Sequence, residues 1–346
     1  MSRRPAAATR PSAAGERIGL VLGAGGPTGH AFHAGVLAAL AAATGWEPRR
    51  AACLVGTSAG AEVAALLRAG MSAADLLARI AGGALSPAGA GPAGHYLRPD
   101  HGPFPFRLLW PLLRSSPTWL GQRLRLLRRR PGPGPFSARL LPLGRVELAA
   151  QAAAFDRMFP AGWPPEPLWL VAGRVDDGQR VVFGRADAPA TGVGAAVAAS
   201  GAVPGINPPL AIAGRLYVDG GLRSSTNLDV LAEPAAGAPL DRVLVSAPLS
   251  CAPAYGPRSW LRPARRIFRR RLAAEARSLR HRGAAVHLLQ PSGAVLAAMG
   301  INPFAVQRMD RVARAAYRAT RAALSRTERR DGPLATLAAA LRAAAG

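Results

Sequence analysis

Residues 18–60 read IGLVLGAGGPTGHAFHAGVLAALAAATGWEPRRAACLVGTSAG, and this stretch decides the fold. It contains two short apolar runs, Ile18–Leu22 and residues 51–55, each followed by a glycine-containing turn and an alanine-rich segment. Short continuous apolar runs are typical of buried parallel strands, and the segments at 33–43 and 61–68 have helical composition. Strand, loop and helix repeated in this order predict an α/β domain whose parallel sheet is covered by helices.

Strand-like segments recur downstream, after a long interval that lacks any periodic pattern. A helix is predicted at 194–200, and the further predicted strands are residues 169–172, 180–183, 215–218, 243–247 and 286–289. From 81 to 143, Gly and Pro interrupt every pattern, and a long irregular segment inside a compact domain is usually functional or disordered. Residues 81–143 are therefore predicted to form a variable, Pro-rich, lid-like insert.

The two ends of the chain are predicted to lie outside the main domain, which we assign to residues 17–330. Residues 1–16, rich in Arg, Ala, Ser and Pro, predict a disordered tail, and residues 331–346 predict an Ala-rich helix or tail. The N-terminal region lacks the continuous apolar segment of a secretory signal, and the sequence has no run of about 18 apolar residues. These features predict a cytoplasmic protein with peripheral contact to the inner membrane face.

The formal net charge of +25 comes entirely from arginine, since the sequence contains no lysine. A charge of this size favours anionic partners such as phospholipid head groups or nucleic acid, and it does not choose between them. Cys53 and Cys251 lie far apart and match no CxxC or Cys/His metal spacing. We therefore expect two free thiols, no metal site and no cofactor.

Gly56-Thr57-Ser58-Ala59-Gly60 fits the GxSxG nucleophile elbow, a cramped turn between a strand and a helix. The apolar run before it and the helical segment after it supply the two elements that this motif requires. Because GxSxG also arises by chance in a chain rich in Gly and Ala, these flanking elements carry the prediction. Ser58 is therefore predicted to be a nucleophile, with the N-terminus of its helix stabilising negative charge.

Gly25 and Gly26, in the loop after the first strand, are predicted to donate backbone amides to a developing oxyanion. Glycine lets the backbone approach a ligand closely, and removing one oxyanion donor typically lowers the rate by roughly 10²-fold to 10³-fold. A dinucleotide-binding loop is the alternative, but the spacing GxGxxG counted from Gly23 fails at Thr28. A phosphate loop of the Walker type is excluded because it needs a lysine.

A serine hydroxyl also needs a base to take its proton. No histidine follows a strand in the loop position expected of a catalytic triad; the six lie at positions 30, 33, 95, 101, 281 and 287. Asp219 does follow a predicted strand, and Gly220 and Gly221 leave space around it. Asp-Gly-Gly alone is more often an ordinary turn, so Asp219 becomes a candidate base only together with the other two motifs.

These three motifs, in this order, resemble the patatin-like phospholipase family. ASGAVP at 199–204, followed by Pro208-Pro209, resembles the family's segment ahead of Asp-Gly-Gly, and LRSSTN at 222–227 resembles the segment after it. The resemblance covers residues 17–70 and 165–325. It implies a three-layer α/β/α sandwich with a mostly parallel central sheet, and a Ser-Asp dyad that hydrolyses lipid esters through an acyl-enzyme.

Carried onto this sequence, the resemblance makes Ser58 the nucleophile and Asp219 the general base, with the amides of Gly25, Gly26 and Ala59 as the oxyanion hole. It also implies supporting roles in these motifs for Gly23, Gly29, Gly56, Gly60, Gly220 and Gly221. The expected partner is a lipid or phospholipid substrate, and no specific nucleic-acid binding is expected.

The glycine loop departs from the family pattern. Ala24 stands where glycine is usual, Thr28 stands where Arg or Lys is usual, and the path from Gly29 to Gly35 is one residue longer. Because a positive charge is missing beside the site, we expect weaker phosphate binding and a shift of preference toward neutral acyl esters.

Two other functions remain open at this point. One is an α/β-hydrolase with a Ser-His-Asp triad, although the elbow of that fold normally follows several strands. The other is a non-catalytic basic protein that binds membrane or nucleic acid on an inactive scaffold. Arg262 to Arg282 is a strongly basic run with apolar Ile267, Phe268 and Leu272, and it predicts a helix that either lies on an anionic bilayer or covers the sheet.

Overall fold

The computed structural model describes residues 16–96, 144–251, 262–327 and 333–346. The predicted tail before residue 16, and residues 97–143 of the predicted insert, lie outside these ranges. The strands are β1 (Ile18–Leu22), β2 (Cys53–Thr57), β3 (Leu168–Arg174), β4 (Arg180–Phe183), β5 (Leu210–Ile212), β6 (Arg215–Asp219), β7 (Arg242–Ser246) and β8 (Ala285–Leu289). The helices are α1 (Gly26–Thr44), α2 (Ala59–Arg68), α3 (Ala73–Ala81), α4 (Pro87–His95), α5 (Ala149–Met158), α6 (Val193–Gly201), α7 (Arg262–His281), α8 (Gly293–Met299), α9 (Met309–Thr327) and α10 (Pro333–Ala343).

The strands form one sheet in the order β5-β6-β3-β2-β1-β7-β8, with β4 also paired to β3. β1 pairs in parallel with β2 and β7, and the β2–β3 and β7–β8 pairs are parallel as well. β4 and β6 pair antiparallel with β3, and β5 pairs antiparallel with β6. The predicted mostly parallel sheet is therefore confirmed, and it carries an antiparallel end that the sequence did not reveal.

Helices cover both faces of the sheet because successive side chains of a strand point in opposite directions. Leu20 and Leu22 of β1 belong to a core cluster with apolar residues of α1, α2, α3 and α9. Val21 belongs to a second cluster on the other face, with residues of α7 and of the short 3₁₀ segment Leu228–Ala232. The three-layer α/β/α sandwich is thus confirmed.

The helix after the first strand begins earlier than predicted, at Gly26 rather than at residue 33. Pro27 occupies its first turn, where a proline costs no hydrogen bond and its fixed φ suits a helix, so the glycine loop is short. Helix α4 also lies within the interval expected to be irregular, where the Ser86 hydroxyl caps it by accepting from Gly89 N–H at 3.1 Å. Strand β5 was not predicted because three residues are too few to show alternation.

The basic run predicted as a helix forms α7, which buries Leu272, Ala276 and Leu279 against the second core cluster. Near its start, Ile267 is 64% exposed. At the C-terminal end, α10 packs Leu337 and Leu341 into the first cluster. No helix within the described ranges is long and apolar enough to cross a membrane.

Candidate active site

Ser58 is the residue after β2 and the N-cap of α2. Its φ of 55° with ψ of −123° lies where non-glycine residues are rarely found, which is the strained strand-to-helix turn of a nucleophile elbow. The Ser58 N–H donates to Ser200 Oγ at 2.9 Å, and the Ser200 hydroxyl donates to Val171 O at 2.7 Å. Ser200, on α6, therefore ties the turn to β3.

The two glycines of the elbow are required by close packing. A Cβ added at Gly60 would lie 2.0 Å from Leu22 O, and one added at Gly56 would lie 2.5 Å from the Ala61 Cα. Neither distance leaves room for a methyl group. The elbow therefore packs directly on the end of β1, where the glycine loop begins.

Asp219 is the last residue of β6 and is buried. Its carboxylate accepts a hydrogen bond from Gly221 N–H at 2.6 Å, and the Ser58 hydroxyl lies close enough to lower its pKa. Burial raises the pKa of Asp219 from 3.8 to about 6, while the nearby Ser58 hydroxyl and the Gly221 N–H oppose this shift. With this pKa the carboxylate is ionised at neutral pH and can accept a proton from a neighbouring hydroxyl group.

Strand β3 brings these two residues together. Thr57, just before Ser58, pairs with Val171, and Asp219 pairs with Ala172, the next residue of β3. β4 pairs with the same part of β3 and occupies its other edge, so β2 and β6 share one edge. Because β2 is parallel to β3 and β6 is antiparallel to it, the carboxyl ends of β2 and β6 meet head to head.

The glycine loop lies beside the elbow. Gly25 is the N-cap of α1, and Gly26 is its first residue, with φ of 58°. Within the described ranges, neither of their amides has a hydrogen-bond partner, whereas Gly23 N–H donates to Ser246 O at 2.9 Å. Gly26 lines a cavity together with Ser58 and Ala59, and Gly25 is not part of that lining.

Thr28 is buried, and its N–H donates to Pro303 O at 3.1 Å. The loop position where a cation is usual therefore holds a neutral side chain packed into the protein.

The cavity beside Ser58 also contains a hydrogen-bonded cluster that sequence reasoning missed, and we call His30, Glu62, Tyr96 and Gln151 the polar cluster. Glu62 accepts from Tyr96 Oη at 2.6 Å and from Gln151 Nε2 at 2.9 Å, and its Oε2 lies 3.2 Å from His30 Nδ1. Burial raises the pKa of Glu62, but the hydrogen bond and charge of His30 and the bonds from Tyr96 and Gln151 outweigh it and hold the pKa below its usual range.

The other histidines that could have served a triad lie elsewhere. His33 is buried beneath the glycine loop, and His287 is on β8, with Nε2 2.6 Å from Arg242 Nη1. His95 ends α4 and His281 ends α7, while His101 lies outside the described ranges. None of the described four lines the cavity beside Ser58.

Two supporting residues could have been found from segments that resembled the family. Ser200 lies within 199–204, and Asn227 ends 222–227. Asn227 Nδ2 donates to Thr57 Oγ1 at 3.2 Å and to Gly220 O at 3.3 Å, linking the elbow to the Asp219 turn. For Glu62 the signal was a charged residue one turn after Ser58, where the neighbouring helix residues are small or apolar.

One family of known proteins matches the chain. A family model described as Patatin-like phospholipase matches residues 20–232, more than half of the chain. The matched region contains the glycine loop, the elbow and the Asp-Gly-Gly turn. No curated protein matches the chain.

Proposed function

Because the chain belongs to the patatin-like phospholipase family, we propose that it is a serine acyl hydrolase in which Ser58 attacks lipid esters and Asp219 is the general base. Membership of the family supports lipid acyl hydrolase activity in general. The more specific proposal rests on one observation, the Ser58 hydroxyl lying close enough to the buried Asp219 carboxylate to lower its pKa. A nucleophile and base within hydrogen-bond reach are what acyl transfer requires.

In the proposed reaction, Ser58 Oγ attacks the ester carbonyl while Asp219 accepts its proton. The amides of Gly25, Gly26 and Ala59 stabilise the tetrahedral oxyanion, aided by the N-termini of α1 and α2. Asp219 then returns the proton to the departing alcohol, which leaves an acyl-enzyme. Water, deprotonated by the same carboxylate, releases the fatty acid and restores the serine. None of these reaction steps uses a metal or an organic cofactor.

Hydrolysis of short-chain and long-chain acyl esters and of phospholipids, by wild type and two variants, tests this proposal. Ser58→Ala removes the nucleophile and should lower kcat by more than about 10⁴-fold, while Asp219→Asn should lower it by about 10²-fold to 10⁴-fold. Ser278→Ala and Asp310→Asn, at exposed positions on α7 and α9, are matched controls that should keep wild-type activity. Turnover that is equal in all five proteins would refute the dyad.

One further variant and a binding assay separate the remaining alternatives. A Ser-His-Asp triad would require His287→Ala to be inactive while Asp219→Asn stays active. An inactive scaffold would show no ester hydrolysis by wild type, with binding to nucleic acid or vesicles only.

The proposal includes peripheral contact with an anionic bilayer through α7. Its exposed cations include Arg266, Arg270, Arg271, Arg277 and Arg280. Each arginine near an anionic surface contributes roughly 1 kcal/mol of attraction. At the start of the helix, Arg265 Nη1 donates to Pro248 O at 2.8 Å, and Pro248 packs on Gly25, so this end of α7 lies beside the glycine loop.

Apolar side chains near the site support this orientation. The exposed large hydrophobic residues among the described ones are Leu222, Ile267, Ile301 and Val306. Leu222 follows the Asp-Gly-Gly turn, Ile267 is near the start of α7, and the other two flank Phe304, which lines the cavity. Each of these side chains is therefore within a few residues of an element that borders the site. In this position it can insert into a lipid surface that faces the site.

Co-sedimentation with vesicles containing anionic lipid tests this contact. Replacing Arg266, Arg270 and Arg277 together with Gln should weaken binding at low salt by about 10²-fold, on the estimate of roughly 1 kcal/mol for each arginine. The matched control removes the same charge from exposed positions on α9, with Arg311, Arg318 and Arg326 changed to Gln. Equal binding by both triple variants would exclude α7 as the contact surface.

A further inference from the structure

The cavity beside Ser58 is lined by both polar and apolar side chains, and this lining bears on which alcohol an ester substrate can carry. The polar cluster is one continuous hydrogen-bonded group, because Glu62 contacts each of its other three members. The larger side chains in the rest of the lining are apolar: Pro27, Leu148, Val203 and Phe304. An ester attacked by Ser58 therefore meets apolar side chains suited to a hydrocarbon chain and a polar cluster suited to a polar group.

The polar cluster is held rigidly. Glu62 follows Ser58 by one turn of α2, and the His30 side chain, in the first turns of α1, is 3% exposed. Tyr96 follows α4 and packs edge-on against Phe155, while the Arg79 guanidinium lies 3.9 Å from the centre of its ring. Groups fixed in this way recognise a ligand without a large entropic cost of ordering.

The charge of the polar cluster sets what it can bind. Its hydrogen bonds keep Glu62 ionised, so the cluster carries one negative charge when His30 is neutral and no net charge when His30 is protonated. It is never positive. A phosphate placed here would meet the Glu62 carboxylate, and the glycine loop offers no compensating cation because position 28 is a buried threonine. The Arg79 guanidinium does lie beside the cluster, where it stacks on the Tyr96 ring at 3.9 Å from the ring centre.

We propose that the polar cluster receives the alcohol side of the ester and selects neutral, hydroxyl-bearing alcohols, such as the glycerol of a monoacylglycerol, over phosphate-bearing head groups. This rests on the proposed function of Ser58 and narrows its substrate class. In the first step the Ser58 Oγ–acyl bond forms, the acyl–oxygen bond to the alcohol breaks, and the serine proton leaves on that oxygen through Asp219. Hydroxyl groups of the departing alcohol then donate to Glu62, which a phosphate cannot do once it is fully ionised.

Two substrates that differ only in the phosphate test the proposal: 1-octanoylglycerol and 1-octanoylglycerol 3-phosphate, both below their aggregation concentrations. Wild type should favour the neutral ester in kcat/KM by on the order of tenfold, the effect of one nearby charge in a partly buried site. Glu62→Gln keeps the size and removes the charge, so it should reduce this preference several-fold by improving turnover of the phosphate ester. Glu147→Gln removes the same charge from an exposed position next to Leu148 and should leave the ratio unchanged.

The outcomes separate this inference from the proposed function. If wild type hydrolyses both esters but favours the phosphate ester, or if Glu62→Gln leaves the ratio as it was, the inference is overturned and the Ser58 mechanism stands. If wild type hydrolyses neither ester while Ser58→Ala behaves identically on all other esters, the proposed function itself fails. The wild-type ratio decides the question even where Glu62→Gln does not fold.

Discussion

His33 lies beneath the glycine loop and forms a hydrogen bond to the Gly23 carbonyl, with Nε2 2.8 Å from Gly23 O. Its Nδ1 lies 2.7 Å from Ser246 Oγ. Since a carbonyl oxygen can only accept, Nε2 carries the proton, and the Ser246 hydroxyl donates to Nδ1. Burial lowers the pKa of His33 to about 3, although its bond to Gly23 opposes the shift, so the ring is neutral in the folded protein. A neutral histidine thus fixes the loop that carries the proposed oxyanion donors.

His33→Gln is expected to reduce stability at pH 7.5 by about 1–3 kcal/mol, because two buried partners lose a hydrogen bond. In wild type, the unfolded chain binds a proton on His33 below about pH 6.5, while the folded protein does so only near pH 3. Stability should therefore fall as the pH drops through this window, and the variant should lose less. Urea unfolding at pH 7.5 and 4.5 measures this, with exposed His281→Gln as the control. Identical pH dependence in wild type and His33→Gln would contradict the assignment.

The rate of ester hydrolysis should depend on the ionisation of Asp219. Because its pKa in the free enzyme is about 6, kcat/KM should be constant above pH 7 and fall about tenfold per pH unit well below 6. A pH profile measured with a soluble short-chain ester checks this. A plateau that extends down to pH 4.5 would show that a different group limits the reaction.

The raised pKa of Asp219 also affects stability, which should fall as the pH rises, whereas activity should rise. Between about pH 4 and 6 the folded protein retains a proton on Asp219 that the unfolded chain has released, so stability falls as the pH rises through this range. At pH 8 the ionised, buried carboxylate costs ~3 kcal/mol. Asp219→Asn should therefore unfold at a higher temperature than wild type at pH 8, with the difference disappearing near pH 4. A variant that is less stable at both pH values would argue against this cost.

Ser200→Ala should impair catalysis more than substrate binding. Ser200 Oγ accepts from the Ser58 amide and donates to Val171 O, so its loss frees the strained turn without removing a reacting group. We expect kcat to fall by about tenfold to a hundredfold, as for small misplacements of a nucleophile, with KM changed less than threefold. Steady-state kinetics beside exposed Ser278→Ala provide the measurement. A change confined to KM would mean that Ser200 contacts substrate instead.

Gly60→Ala should be among the most damaging single-methyl additions in this chain. Its Cβ would lie 2.0 Å from Leu22 O, and both atoms belong to rigid elements, so the elbow and β1 must separate. We expect a loss of at least about 3 kcal/mol of stability together with loss of activity. Gly94→Ala is the matched control, because it lies in α4 with nothing within 4 Å of the added Cβ. There alanine should be neutral or stabilise by up to about 1 kcal/mol.

Much of this architecture was readable from the sequence because it is encoded locally. The apolar runs before the glycine loop and before Ser58 predicted two neighbouring parallel strands, and the small residues around Ser58 predicted a cramped turn. The predicted start of the first helix was wrong, because α1 begins at Gly26, seven residues before the predicted residue 33. A proline such as Pro27 is common both in loops and in the first turn of a helix. Composition alone could not distinguish these two uses.

The sequence by itself determined an α/β domain, a serine in an elbow and a separate Asp-Gly-Gly turn. Only the tertiary structure decided that Ser58 and Asp219 lie next to each other, since this depends on β2 and β6 meeting end to end along one edge of β3. Likewise, nothing near Glu62 in sequence indicated that Tyr96 and Gln151 would converge on it. Strand pairing and buried hydrogen bonds join residues distant along the chain, and their partners are set by the packing of the whole fold rather than by local pattern.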